Sequence, residues 1–310
     1  MQVIITSAFD FLKKAHELKN NRKHASGIEF YRGQPNRGLS LLPTIFRSRM
    51  LQHEEDIINE FIRRRPDEFA ERDGLFNILA KMQHYGLHTR LLDVTENPVV
   101  CLYFTCSQNL DKDGEIFIFK KHLYEIPSNA ALNIITEFYI HHRNNNGDYD
   151  IVSYYDYALN NYKSKDVEIA FHHIVNGLPC FARPKIINER ILRQSGSFML
   201  FANDVCPGIK CPNETCADYG TDNCAMDGVA SDLRERIKTV KIKNTLPDIT
   251  NAHVANEQNG YRYIVKAESK KSILSELQTI GIDKAFLFPE LSNDALDIME
   301  DYRLRCSFSN

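Results

Sequence analysis

The 310-residue chain has no uninterrupted apolar run approaching eighteen residues, so no segment reads as a transmembrane helix. Its opening, Met1-Gln2-Val3-Ile4-Ile5-Thr6, is too short in apolar run for a secretory signal. The expected location is therefore cytoplasmic, with no membrane partner. Eleven prolines and 14 glycines are too few for a long disordered tract, and there is no internal repeat or low-complexity segment. An excess of one charge is also missing. The 38 Lys and Arg against 41 Asp and Glu leave a net −3, which removes any global positive field that would recruit nucleic acid or an anionic membrane. The densest basic run, Arg63-Arg64-Arg65, shares a helix with Ile57, Ile58, Phe61 and Ile62. It reads as a solvated charged face rather than a phosphate grip.

What is present suits a folded core: 43% hydrophobic and 25% charged residues, in a length that allows one large domain or two modest ones. In a reducing compartment the eight cysteines are thiols or metal ligands before they are disulfides. Four of them, Cys206, Cys211, Cys216 and Cys224, are separated by four, four and seven residues within a stretch rich in Pro, Gly, Asp and Asn. Four thiolates in so polar a segment suit a closed tetrahedral zinc site, which would supply folding energy the segment cannot draw from apolar burial. Unligated thiols in a loop are the competing reading, because the spacing departs from the usual two-residue knuckle.

Apolar periodicity predicts helices over 8–18, 54–69, 75–85, 98–106, 129–141, 151–162, 166–175, 269–279 and 293–302. Phe9, Phe11, Leu12 and Leu18 are the core contacts expected of the first. Strand composition marks 28–32, 89–92, 115–119, 197–201, 239–242 and 261–265, with short extended pieces at 41–46 and 285–291. Strands and helices interspersed in this way make an α+β (mixed α/β) fold. Its organisation is a leading helix in 1–24, a main domain over 25–300 and a tail at 301–310. Within the domain lie a helical insertion at about 128–176 and a Cys-rich excursion at about 202–231.

The most informative segment runs from Gln83 to Pro98 and on into Val99-Val100-Cys101-Leu102-Tyr103-Phe104. It joins an imidazole, a guanidinium, a carboxylate and a helix start to an apolar helix, with Asn97 as N-cap and Pro98 at the first helical position. Polar groups pinned to a buried element keep their geometry. Arg32 ends an early strand and offers a fixed fork of donors to a phosphate or carboxylate, while Gly33 lacks a side chain and would let a ligand close in. Gln34 adds a polar contact. The alternative is a buried ion pair, with Asp93 as the natural partner. His84 and Arg90 flank Gly86, so a turn could present both to one pocket. Equally, His84 could cap its own helix, terminated by Gly86, and Arg90 could pair with Asp93. Gln194 follows Arg190 by one helical turn and could orient a hydroxyl, or lie on an ordinary helix surface.

Phe30-Tyr31-Arg32-Gly33, the 83–98 segment, Arg190-Ile191-Leu192-Arg193-Gln194-Ser195-Gly196-Ser197-Phe198 and Phe288-Pro289-Glu290-Leu291 together resemble the FRG domain family, over about residues 25–300. By analogy, an early strand-end Arg, an aliphatic strand feeding an apolar helix and a late Gln-x-Gly-x-Phe string look like the layout of ADP-ribosyltransferases. That resemblance implies a largely antiparallel, split central sheet flanked by helices, with NAD as substrate. The basic residue Arg32 would hold the dinucleotide, beside Tyr31, Gly33, Gln34, Arg90 and Asp93. Catalytic roles would fall to Arg32, His84, Gln194 and Glu189, because Gly196 stands where the transferase carboxylate is expected. The implied activity is ADP-ribosyl transfer from NAD to a protein or nucleic-acid acceptor, in bacterial defence or toxin biology. The alternative is a non-catalytic nucleotide- or partner-binding module.

Overall fold

The computed structural model describes residues 3–20, 30–48, 50–69, 73–119, 127–143, 149–177, 179–186, 189–203, 205–206, 233, 237–238, 240–242 and 260–289. The fold is mixed α/β, built on one seven-stranded sheet. Its strands are β1 (Val3–Ile5), β2 (Phe30–Gln34), β3 (Leu91–Thr95), β4 (Gly114–Phe119), β5 (Cys180–Ala182), β6 (Gly196–Leu200) and β9 (Gly260–Val265), in the order β1-β9-β4-β2-β3-β6-β5. Only β1 and β9 run parallel; every other pair is antiparallel. A separate two-residue ladder joins β7 (Val205–Cys206) to β8 (Lys241–Ile242).

Helices cover the sheet in groups that follow the strand alternation. On β4, wholly buried, Ile116 and Ile118 face one side while Phe117 and Phe119 face the other. On the Phe117 side an aromatic and aliphatic layer of Phe30, Leu92, Val94, Phe181 and Met199 is closed by Ile45 and Phe46 of α2 (Thr44–Arg47). The opposite side carries two distinct clusters. Over β1, β9, β4 and β2 pack α1 (Ala8–Asn20), α5 (Pro98–Cys106) and α10 (Lys270–Thr279), through Phe11, Val100, Leu102, Ile273 and Leu277. Over Leu91 of β3, Phe198 and Leu200 of β6, and β5 pack α3 (Glu54–Arg64), α4 (Leu75–His84), α6 (Asn129–His141), α7 (Ile151–Asn161) and α8 (Ser164–Asn176). The short α9 (Glu189–Arg193) and α11 (Lys284–Leu287) complete the described elements. Among the described residues no helix is long and apolar enough to cross a membrane.

Several expectations need correction. The piece read as extended at 41–46 contains α2, and the strand expected at 285–291 is the helix α11, started by the Asp283 side chain accepting from the Phe286 amide. Short apolar runs do not distinguish strand from helix by periodicity, and at α11 a cap decides. The helix expected over 54–69 stops at Arg64, because Pro66 restricts the residue before it and opens a 3-10 turn instead. Phe9 is not a core residue: it is 66% exposed, one residue round the helix from the inward arc of Ala8, Phe11 and Ala15. The helix expected at 293–302 lies outside the described residues, as do Cys211, Cys216 and Cys224 of the zinc reading; Cys206 stands on β7.

Cys101, Cys106 and Cys180 are free and buried. Burial raises all three thiols above the ordinary value of 9.0, Cys106 up to about 12. Because the folded state holds these protons longer than the unfolded chain, their stabilising contribution is complete below pH 9.0 and, for Cys106, is lost as pH climbs toward 12. Iodoacetamide at pH 8 should leave the three unlabelled in native protein and label them after denaturation, read by peptide mass spectrometry. Native labelling of any of them would show that its site opens.

Candidate functional site: a cleft at a break in the sheet

Strands β2 and β3 pair only at Tyr31 opposite Thr95, although each pairs along its length with its other neighbour. Beyond that point the two strands part. The parting lies where the two helical clusters of one face also separate, since α5 belongs to one and α4 to the other. The result is a cleft of about 330 Å³, floored by β2, β3 and β6 and walled by α4, α5 and α9. That is room for a small ligand, at the low end of the usual range.

Arg32 follows the alternation of Phe30 and Gln34, yet its guanidinium bridges the parting. Nη1 donates to the Asp93 carbonyl at 2.7 Å, standing in for the missing ladder bond, and lies 3.6 Å from Asp93 Oδ2. Nε is buried without a partner, while the side chain as a whole keeps 21% exposure and lines the cleft. Burial lowers the Arg32 pKa from its ordinary value, opposed by Asp93 and assisted by the like charge of Arg47. The guanidinium nevertheless remains a cation at neutral pH. It thus combines an anchored end with a buried donor that no protein group satisfies.

Asp93 stands on β3 with 66% of its side chain exposed. Gln83, on the last turn of α4, donates from Nε2 to Asp93 Oδ1 at 2.8 Å, and Gln83 Oε1 in turn accepts from the Thr89 hydroxyl. Thr95, two residues further along the same strand face, donates to the Gln194 carbonyl at 2.6 Å and accepts from the Asn97 amide at 3.0 Å. Asn97 caps α5 as expected, accepting from the Val99 amide. One hydroxyl therefore ties the α5 start to the α9 end across the cleft. From the far wall come Arg190, with its guanidinium 4.8 Å from the Phe288 ring, and Gln194, whose amide donates to the Leu287 carbonyl at 3.0 Å. Lys270, fully buried, donates to the carbonyls of Pro35, Gln108 and Asn109 and so holds two of the lining residues, Pro35 and Gln108.

Of the residues singled out in the sequence, Tyr31, Arg32, Gly33, His84, Asp93 and Gln194 line this one cleft. Arg32 and His84, fifty-two positions apart in sequence, converge on it. His84 ends α4, with Gly86 at φ +88 as the terminator, and also borders a smaller cavity of about 280 Å³ beside Lys81, Tyr85 and Lys185. Arg90 is elsewhere: it is fully enclosed, and pairs with Glu54 instead of facing a pocket or Asp93. Gln34 is buried outside the lining, its amide donating to the Ser40 carbonyl. Glu189 is exposed and pairs with Arg193 at 2.7 Å, also outside the lining. Gly33 does its work differently from the expectation. A Cβ there would meet the Cys101 carbonyl at 2.2 Å, so the missing side chain admits the backbone of α5 rather than a ligand.

Sequence reasoning missed Gln83, Thr95, Phe104 and Ser197, which also line the cleft, and gave Arg190 no role of its own. Thr95 was accessible through strand alternation from Asp93, and Arg190 through its one-turn spacing from Gln194. Gln83 gave no signal in isolation. Among the lining residues Asp93 supplies the one carboxylate.

Comparison with curated proteins and with solved structures returned no match. The FRG domain model matches residues 28–114, a span that holds Tyr31, Arg32, Gly33, His84 and Asp93 but not the α9 wall, and the chain carries an FRG domain.

Proposed function

We propose that this cleft is the ligand site of the FRG domain and that it takes a nucleotide-like anion. The observation that carries the reading is Arg32: a cation at a break in the sheet, with one nitrogen anchored to the Asp93 carbonyl and a buried Nε without a partner. Arg190 adds a second guanidinium from the opposite wall, and Tyr31, Phe104 and Phe198 supply apolar surface for a ring. A few convergent polar groups on an apolar lining are what small-ligand sites require.

ADP-ribosyl transfer from NAD is the chemistry we assign to such a site. The reaction asks little covalent help of a protein: as nicotinamide leaves, charge builds on the ribose, and the work is holding the pyrophosphate, orienting the sugar and excluding water. Arg32 and Arg190 would hold the pyrophosphate. Gln194, which lines the cleft as the outward-facing Glu189 does not, would orient the ribose. A non-catalytic binding module is the second reading. It is favoured by Gly196 on β6, where a transferase carboxylate is expected, and by Gln194 being engaged with Leu287.

The test is to titrate the purified chain with NAD and follow nicotinamide release. Saturable binding is expected, weakened about 10- to 100-fold in Arg32→Ala and less in Arg32→Lys, which keeps the charge but loses the fork. Release of nicotinamide identifies the transferase; binding without turnover identifies the module. Unchanged affinity in Arg32→Ala would overturn both.

A further inference from the structure

Three features of Asp93 do not fit a residue whose task is to neutralise Arg32. Its contact to that guanidinium is long, 3.6 Å at Oδ2, because Nη1 spends its short bond of 2.7 Å on the Asp93 carbonyl. A carboxylate serving as the arginine's counter-ion would be expected in a bidentate, shorter geometry, as Arg183 shows with Glu96 at 2.6 and 2.8 Å. Second, its side chain is 66% exposed and lines the cleft, so accepting lone pairs remain open toward a ligand. Third, it is held in place by groups that are not cations: Gln83 Nε2 donates to Oδ1 at 2.8 Å and is itself fixed by the Thr89 hydroxyl on its Oε1. The relay fixes the amide's orientation and with it the position of the carboxylate.

A lone carboxylate is costly in a cleft that otherwise attracts anions, since it repels the phosphate that Arg32 and Arg190 favour. What it accepts are hydroxyl donors. We infer that Asp93, oriented by Gln83, is a hydroxyl-recognising subsite beside the anion subsite, so that the cleft selects a ribose phosphate carrying its 2′- and 3′-hydroxyls over the deoxy form. This rests on the nucleotide reading above and specifies its substrate class. Asp93 would touch the ligand; Gln83 is a positioning residue, acting through the carboxylate. The group is placed independently of any ligand, because β3 is fixed in register by β6 over all five residues, Asp93 opposite Phe198.

The experiment compares ADP with 2′-deoxy-ADP by calorimetric titration of the whole chain. Wild type is expected to bind ADP about tenfold or more tightly than the deoxy analogue, the usual effect of one hydrogen bond to a charged group. Asp93→Asn should bring the two within about twofold of each other, whatever the shift common to both from loss of the negative charge, and Gln83→Ala should lower the ratio in the same direction. A merely structural role would weaken both nucleotides alike and leave the ratio where it was. Equal affinities in wild type, or a ratio insensitive to Asp93→Asn, overturns the subsite while the anion site stands on its Arg32 dependence. Binding of neither nucleotide overturns the anion site and the subsite together.

Discussion

Arg90→Met should destabilise the chain by about 3–5 kcal/mol, the cost of stranding a buried charge when its partner is removed. Arg90 is fully enclosed, and Nε and Nη2 both donate to the Glu54 carboxylate, itself almost wholly buried. Nη1 donates to the Phe201 carbonyl at 3.0 Å and to Asn203 Oδ1 at 3.3 Å, and the guanidinium plane lies 4.6 Å from the Tyr139 ring. Burial works against the charge, but Glu54 outweighs it and holds the Arg90 pKa above its ordinary value. One side chain therefore ties α3, β3, the end of β6 and α6. Methionine fills much of the volume while leaving Glu54 with no cation and removing the Arg90 donor from Phe201 and Asn203. Removing the stranded charge as well, in Arg90→Met with Glu54→Leu, should recover more than half of the loss, because a buried pair and an apolar pair of like volume differ little. Urea unfolding of wild type, both single variants and the double variant measures this. A single-variant loss below about 1 kcal/mol, with no coupling between the sites, would contradict the assignment.

The second large effect is Gly33→Ala, for which we expect a loss of about 3 kcal/mol or more, or failure to fold. A Cβ at Gly33 would stand 2.2 Å from the Cys101 carbonyl, 2.4 Å from Thr105 Oγ1 and 3.0 Å from the Thr105 amide. Two of these three atoms are backbone of α5, so no rotamer change relieves them; the helix must move off β2. That movement would also disturb the cleft, whose walls include Cys101 and Phe104 of the same helix. Gly196→Ala is the matched control, because its Cβ would meet Ile191 only at ordinary contact distances from 3.6 Å. Thermal unfolding of the two variants should differ by about 5 °C or more, and equal melting temperatures would refute the close approach. In the aromatic-Arg-Gly signature, Tyr31 and Gly33 therefore face α5 and serve packing, while Arg32 between them faces the parting of the strands.

Local signals carried much of this architecture. The Asn97-Pro98 start of α5, the two-sided burial of β4 and the helices α6, α7 and α8 follow from capping chemistry and apolar period alone. The three-residue strands β1 and β5 went unread, since alternation cannot be recognised over so few positions. Tertiary partners were less legible. Asp93 was the obvious mate for Arg90, three positions away, whereas the actual mate is Glu54, thirty-six away on another element. The role of Gly33 was hidden because only the path of α5 reveals what approaches it. The cleft itself arises from the parting of β2 and β3 and from two helical clusters with separate cores, neither of which any single segment encodes. Arg32, His84 and Gln194 could be named as polar groups on rigid elements; their convergence could not.

Hydrogen–deuterium exchange of the whole chain with and without ADP tests the central claim most directly, because it reports where a ligand sits without presuming chemistry. The account predicts slowed exchange in the segments 31–35, 83–84, 93–95 and 190–198, all of which border the cleft, and little change around Arg90 or in α7 and α8. Protection confined to surfaces away from the β2/β3 parting, with ADP bound, would contradict it.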